Sequence, residues 1–204
     1  AVRGHALEPW AAYWELKARL EDASAQDVQD FLTRYADTYQ EDRLRNDWLL
    51  LLGQRRDWSS FVAEYPRFRM NDDRELRCYA LAVEHLRNGT DTSAEVRRLW
   101  HALREADDGC TFAADRLHES RKLPDVEVWR KARLAIEANR PKAARAAVEI
   151  VSSDAVPSLA EINANPARYL SSRAVAGSRM RKEMVVLALV RIAASDAGVA
   201  AALL

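Results

Sequence analysis

Apolar residues recur through this chain at helical spacing, in short stretches separated by caps and breakers, and they never alternate for long. Trp10, Tyr13, Trp14 and Leu16 open the first stretch, with Pro9 where a helix start tolerates it. Ser24 predicts the N-cap of a helix through Val28, Phe31, Leu32 and Tyr35, because its hydroxyl can accept an orphan backbone N–H. Leu44, Trp48, Leu51 and Leu52 make the next face. Asp57 caps a short helix through Trp58, Phe61, Val62 and Tyr65, and Pro66 stops it.

The second half reads the same way. Asn71 predicts the cap of a helix with Leu76, Tyr79, Ala80, Val83 and Leu86 inward, closed by Asn88-Gly89. Thr92 with Glu95 reads as a capping box before Val96, Leu99, Trp100 and Leu103. Asp108-Gly109 reads as a turn. Phe112, Leu117 and Leu123 surround another short helix, and Pro124-Asp125 starts the one carrying Val126, Trp129 and Ile136. An Ala-rich helix follows the break at 139–141. Residues 152–170 predict short, less regular helices. A last strong helix holds Val185, Ala188, Leu189 and Ile192, and Asp196 and Gly198 break it.

About ten short helices joined by brief connections imply antiparallel neighbours. Each is too short to bury its apolar face alone, so stacking is required. The expected class is all-α, a superhelix or solenoid of stacked short antiparallel helices. No strict repeat period runs through the chain. Residues 1–204 read as a single helical domain, and the apolar end at Leu204 suggests an array that continues in a longer chain.

Composition narrows the function. Of the residues, 49% are hydrophobic and 30% charged, as in globular chains rather than disordered ones. The formal net charge is zero, which argues against a general nucleic-acid binder. The charge is unevenly spread: residues 1–120 hold 17 basic and 23 acidic residues, and residues 121–182 hold 13 and 6. That is either a set of differing solvated helix faces or a surface for an anionic polymer. No stretch is apolar for long enough to span a membrane. Ala1 to Pro9 lack a signal-peptide pattern, so the chain is cytosolic or its signal has been removed.

The motifs of chemistry are missing. No H-E-x-x-H, phosphate-binding glycine loop, dinucleotide fingerprint or G-x-S-x-G occurs. Cys78, His85, Cys110 and His118 form the only mixed ligand set, without the close paired spacing of a structural zinc site. No cofactor is expected. The six tryptophans, Trp10, Trp14, Trp48, Trp58, Trp100 and Trp129, could stack on sugars, but their spacing on apolar helix faces favours core packing, and none is named as a ligand contact. The two cysteines read as small core residues in a reducing compartment or as a bridge in an oxidising one.

One stretch is more specific: Tyr35-Ala36-Asp37-Thr38, then Asp42-Arg43-Leu44-Arg45-Asn46, Trp48-Leu49, and Asp57-Trp58 with Phe61 and Tyr65. It resembles the N-terminal helical domain of bacterial soluble lytic transglycosylases, periplasmic enzymes that cut peptidoglycan glycan strands. Tyr13-Trp14-Glu15-Leu16 fits the same pattern, and the segments around Cys78, Cys110 and Leu134-Ala135-Ile136 do so more loosely. The resemblance runs from about residue 10 to the end and is strongest over 35–65.

The resemblance implies a superhelical scaffold whose lysozyme-like catalytic domain lies further along a longer chain. The family's catalytic Glu-Ser is followed by a Gly-Leu-Met-Gln segment. Glu119-Ser120 is the single Glu-Ser here; Arg121-Lys122 follow it, and no Gly-Leu-Met-Gln occurs. Glu119 is therefore read as coincidental, and no catalytic residue is assigned. The implied partners are peptidoglycan glycan strands, through the parent protein, and the chain's own catalytic domain; neither nucleic acid nor a membrane span is implied. A periplasmic location, with the signal removed, further implies a Cys78–Cys110 disulfide. The basic residues Arg130, Lys131, Arg133, Arg140, Lys142 and Arg145 are the candidate surface for an anionic polymer. The alternative is a protein-interaction solenoid unrelated to cell-wall cleavage.

Overall fold

The computed structural model describes residues 4–173 and 177–202, with the side chain of Arg173 left aside; the apolar end at Leu204 lies outside the described residues. Among them the regular structure is helical: α1 (Glu8–Ala18), α2 (Ala25–Arg34), α3 (Tyr39–Gln54), α4 (Trp58–Glu64), α5 (Arg74–Asn88), α6 (Ser93–Ala102), α7 (Asp108–Glu119), α8 (Asp125–Glu137), α9 (Pro141–Val151), α10 (Val156–Ala164), α11 (Pro166–Arg173), α12 (Arg179–Ala193) and α13 (Ala197–Ala202). Short 3-10 turns follow α4 and α9. The all-α class expected from the periodicity is the class that forms. No described helix is long and apolar enough to cross a membrane.

The chain divides into two compact units, 1–83 and 84–204, with the boundary inside α5. In the first, α1, α2 and α4 pack on α3. Their buried side chains form one cluster that includes Tyr13, Leu16, Val28, Phe31, Leu44, Leu49, Phe61, Leu76 and Tyr79. Gly53 of α3 faces the Tyr79 ring, so close that a Cβ there would overlap it. In the second unit, α8 and α9 form a tight pair. Both helices bury small residues: Ala132 and Ala135 on α8, and Ala143, Ala144 and Ala147 on α9. Small side chains let two helix axes approach closely. Trp100, Trp129, Leu117, Leu159 and Leu187 supply bulk elsewhere in that unit.

Several caps are where the sequence places them. Ser24 and Asp27 form a reciprocal capping box, and Asp57 accepts from Ser60 N at 3.1 Å. Gly89, just past α5, takes φ 69° as a helix terminator should. Others move by one or two residues. Asp73, not Asn71, caps α5, accepting from Leu76 N at 3.0 Å, while Asn71 adopts φ 46° in the preceding loop. The Thr92–Glu95 box does not form; Asp91 accepts from Ser93 N at 3.1 Å instead. Asp108-Gly109 is the first turn of α7, because Asp107 caps it through Cys110 N. Asp196 ends α12 and at once caps α13 through Val199 N at 3.0 Å.

Candidate functional site

Asp37, Asp42 and Arg45, from the stretch that carries the sequence resemblance, join Glu41, Glu64 and Arg69 in a polar network in the first unit. Arg45, Glu41, Asp42 and Glu64 are all at most 6% exposed. The Arg45 guanidinium pairs with Glu41 and with Glu64, and stands 3.8 Å from Asp42. Asp42 in turn accepts from the backbone N–H groups of Arg69, at 3.0 Å, and Met70, at 2.7 Å. Arg69 reaches back to Asp37 and Glu41, each at 2.8 Å. Asp37 itself has φ 65°, and its N–H donates to Glu41 at 2.8 Å. The network therefore clamps the α2–α3 turn and the segment after α4 onto α3. Its carboxylates face arginines and, for Glu41 and Asp42, backbone N–H donors as well.

The cysteines are settled chemically. Both are disulfide-bonded and are the two in the sequence, so the bond joins Cys78 of α5 to Cys110 of α7. This removes both thiols from the candidate ligand set. His85 Nδ1 lies 2.8 Å from the Thr90 carbonyl, and His118 Nε2 lies 2.9 Å from Asp125. Among the described residues no group of three or more His, Cys, Asp and Glu side chains is arranged to hold a metal. Glu119, at the end of α7, is exposed and pairs with Arg116 at 2.8 Å.

The candidate basic surface separates into different roles. Lys131 is not on the surface: it is 1% exposed, and its ammonium donates to the carbonyls of Trp100, at 2.8 Å, and Leu103, at 2.5 Å. It thus caps the C-terminal end of α6, where helix carbonyls lack intrahelical partners and favour a cation. Its burial follows from its register with Val128 and Ala135, three before and four after it, both of which face inward. Arg133 pairs with Glu183, Arg140 with Glu105, and Arg145 with Glu149 at 2.9 Å. Arg130 and Lys142 are exposed, with Glu127 4.0 Å from Arg130. Arg130 and Arg133 share a shallow groove with Leu134, Glu137, Val190, Ala193 and Ala194; Arg140, Lys142 and Arg145 do not line it.

The aromatic residues also divide. Trp48, Trp100 and Trp129 are buried as expected and Trp58 is partly so, but Trp10 is 36% and Trp14 58% exposed. Tyr13 and Leu16 take the inward side of α1, and at 3.6 residues per turn Trp14 is swung away from that side. Tyr39, at the start of α3, is 55% exposed and lies 5.7 Å from Trp10, centroid to centroid. The Trp14 ring is 5.0 Å from that of Tyr13. Below these rings Tyr13 Oη donates to Asp47 at 2.6 Å, and Lys17 Nζ lies 3.0 Å from Asp47 and 3.1 Å from Tyr13 Oη. Burial and the Asp47 hydrogen bond raise the Tyr13 pKa, so the phenol stays protonated. For Lys17 burial opposes the charge, but the bonds to Tyr13 and Asp47 outweigh it and raise its pKa. Core packing, the favoured reading for all six tryptophans, fails at Trp10 and Trp14; the angular offset of positions 10 and 14 from positions 13 and 16 was the available signal.

No protein-family model matches the chain, and no curated protein matches its sequence. Solved structures do. An inactive mutant of lytic transglycosylase Slt from Pseudomonas aeruginosa is 29% identical, with a TM-score of 0.55 over 99% of this chain. The 70-kDa soluble lytic transglycosylase from Escherichia coli is 17% identical, with a TM-score of 0.62 over 98% of this chain, a likeness of fold alone. A complex of the 70-kDa soluble lytic transglycosylase with bulgecin A gives a TM-score of 0.61 at the same identity. In each case the chain spans 33% of the matched protein's length. Nearly the whole chain is thus similar to one third of a soluble lytic transglycosylase, in sequence to the Pseudomonas protein and in its all-α fold to all three.

Proposed function

We propose that this chain is a non-catalytic helical scaffold segment of a peptidoglycan lytic transglycosylase, working in the periplasm and shaping or holding glycan strands for a separate catalytic domain. The observation that carries this reading is the 29% identity, sustained over 99% of the chain, to the Pseudomonas enzyme. The disulfide supports an oxidising compartment. Apart from the exposed Arg130 and Lys142, the polar groups described above serve in caps, clamps and ion pairs, as a scaffold's would. By the resemblance, the parent's catalytic glutamate protonates the glycosidic oxygen and the sugar's own hydroxyl closes a 1,6-anhydro ring. This segment's role is to present the strand.

Two measurements test the reading. The coding sequence beyond Leu204 should encode a Glu-Ser followed by Gly-Leu-Met-Gln; an unrelated domain there would overturn it. Sedimentation with purified sacculi should retain the chain. If Arg130, Lys142 and Arg145 draw stem-peptide carboxylates, retention should weaken as salt shortens the Debye length below about 10 Å. Retention indifferent to salt would remove the electrostatic part.

A further inference from the structure

We propose that the exposed strip formed by Trp10 and Trp14 of α1 and Tyr39 of α3 is a stacking subsite for the pyranose rings of an anionic glycan. This rests on the scaffold reading above and gives it a place on the molecule. Beyond Leu7, which is 58% exposed one turn before Trp10, the large exposed groups here are aromatic rings, and Trp14 and Tyr39 each show more than half their surface to solvent. Exposed aromatic groups of this size, set together, mark a binding surface more often than chance exposure. A flat π-face matches the apolar C–H face of a sugar ring, while the ring's rim of hydroxyls requires polar partners close by.

Those partners are present further along the same two helices, one turn on at Lys17 and Arg43 and two at Asp47. Lys17 lies beside the Trp14 ring, at 5.9 Å from its centroid, and its side chain is 36% exposed. Asp47 offers carboxylate oxygens, already oriented by Tyr13 and Lys17. Arg43 is half-buried beside Tyr13 and Asp47, with Nη1 3.4 Å from Asn46 Oδ1. Two cations thus flank one carboxylate, so this trio carries a net positive charge beside the exposed Glu15. That charge complements a saccharide bearing carboxylates and disfavours a like-charged partner. Rings at one end and a held cation-rich trio at the other suit a sugar polymer with acidic substituents better than an aliphatic protein face or a bilayer.

The test uses soluble peptidoglycan glycan fragments, a neutral N-acetylglucosamine hexamer and intact sacculi as probes. Binding is followed by calorimetry and tryptophan emission. Trp14→Ala and Tyr39→Ala should each keep the helical circular dichroism spectrum and weaken fragment binding about tenfold, the equivalent of about 1.4 kcal/mol. Leu86→Ala, which removes an exposed aliphatic group elsewhere (Leu86 is 49% exposed), should change nothing. Lys17→Met should weaken the acidic fragments more than the neutral hexamer. Wild-type affinity in both aromatic variants, with sacculi still retained, would overturn the subsite and leave the scaffold reading intact. Failure of the wild-type chain to bind any of the three probes would overturn both. Self-association abolished by Trp14→Ala, with glycan affinity unchanged, would assign the strip to a second copy and also overturn it.

Discussion

Gly53 of α3 and Tyr79 of α5 occupy one space: the phenol ring lies where any other residue would place its Cβ. Tyr79 cannot yield, because it is fully buried against Trp58, at 5.9 Å between ring centroids, and Phe61, at 6.1 Å. The Arg56 guanidinium closes the same ring at 5.7 Å. In a solvent-exposed helix, Gly→Ala would stabilise by about 1 kcal/mol. Here overpacking, which costs about 1–3 kcal/mol, opposes that gain and should win. Gly53→Ala should therefore lower the urea midpoint, and adding Tyr79→Leu should recover part of the loss. A midpoint that rises in Gly53→Ala would show that the ring moves freely.

The Cys78–Cys110 bond closes a loop that the chain-entropy relation values at about 3.5–4 kcal/mol. Alkylation of the oxidised protein should add no label by intact mass, and alkylation after reduction should add two. The double Cys→Ala variant should melt at a lower temperature, and reductant should no longer affect it. Two labelled thiols in the oxidised protein would contradict the bond.

The buried network around Arg45 predicts an asymmetry between single and paired substitutions. Removing Arg45 leaves Glu41, Asp42 and Glu64 desolvated around an empty position. Breaking a buried ion network from one side costs about 3–5 kcal/mol, whereas replacing both partners by apolar groups can be nearly neutral. Arg45→Met should thus destabilise strongly, and Arg45→Met with Glu64→Leu should be milder. Additive losses in the double-mutant cycle would mean that Arg45 and Glu64 do not act together.

How far the sequence could be read follows from these same residues. The helices were legible because turn chemistry is local: Ser24, Asp57 and Gly89 act within a few residues of themselves. The capping errors fall where two or three capping residues stand side by side, as at 71–73, 91–92 and 107–108, and Leu86, read as inward, is 49% exposed instead. There the choice depends on which segment the rest of the fold leaves free. The polar network was not legible, although Asp42 and Arg45 stood in the stretch that carries the resemblance, since Asp42 and Arg69 lie 27 positions apart and their pairing is tertiary. The exposed aromatic strip was hidden by the rule that large apolar groups go inside, which takes no account of a helix having aromatic residues on two sides.

His101 predicts an acid-sensitive window. Its Nε2–H donates to the Glu127 carbonyl at 3.0 Å, and Nδ1 stands 3.7 Å from the Glu127 carboxylate. Burial lowers its pKa; the Glu127 carbonyl and carboxylate oppose this, and Arg130 and Lys131 reinforce it. Arg97, on the same helix, also pairs with Glu127 and completes the charges around the ring. Below the ordinary histidine pKa of about 6.5, the unfolded chain binds a proton that the folded chain resists. Stability is therefore whole above that pH and falls as the pH drops toward the depressed folded value. The urea midpoint should decline from about pH 6.5 downward, and His101→Gln should remove that part of the slope. An identical slope in the variant would assign the acid sensitivity to the carboxylates instead.

Lys131 offers the sharpest contrast between a basic residue that binds outward and one that holds the fold. Its ammonium lies 5.7 Å from the Trp100 ring centroid and donates to two carbonyls at the end of α6. Lys131→Met keeps most of the stem's volume but leaves those carbonyls without this donor, at a cost of about 1–3 kcal/mol. Lys142→Ala, on an exposed helix start, should stay within about 0.5 kcal/mol of the parent. In sacculus sedimentation the order should reverse. Lys142→Ala, combined with Arg145→Ala, should reduce salt-sensitive retention, while folded Lys131→Met should keep it. Retention that fell with Lys131→Met at a temperature where the variant is fully folded would place the lysine in the binding surface after all.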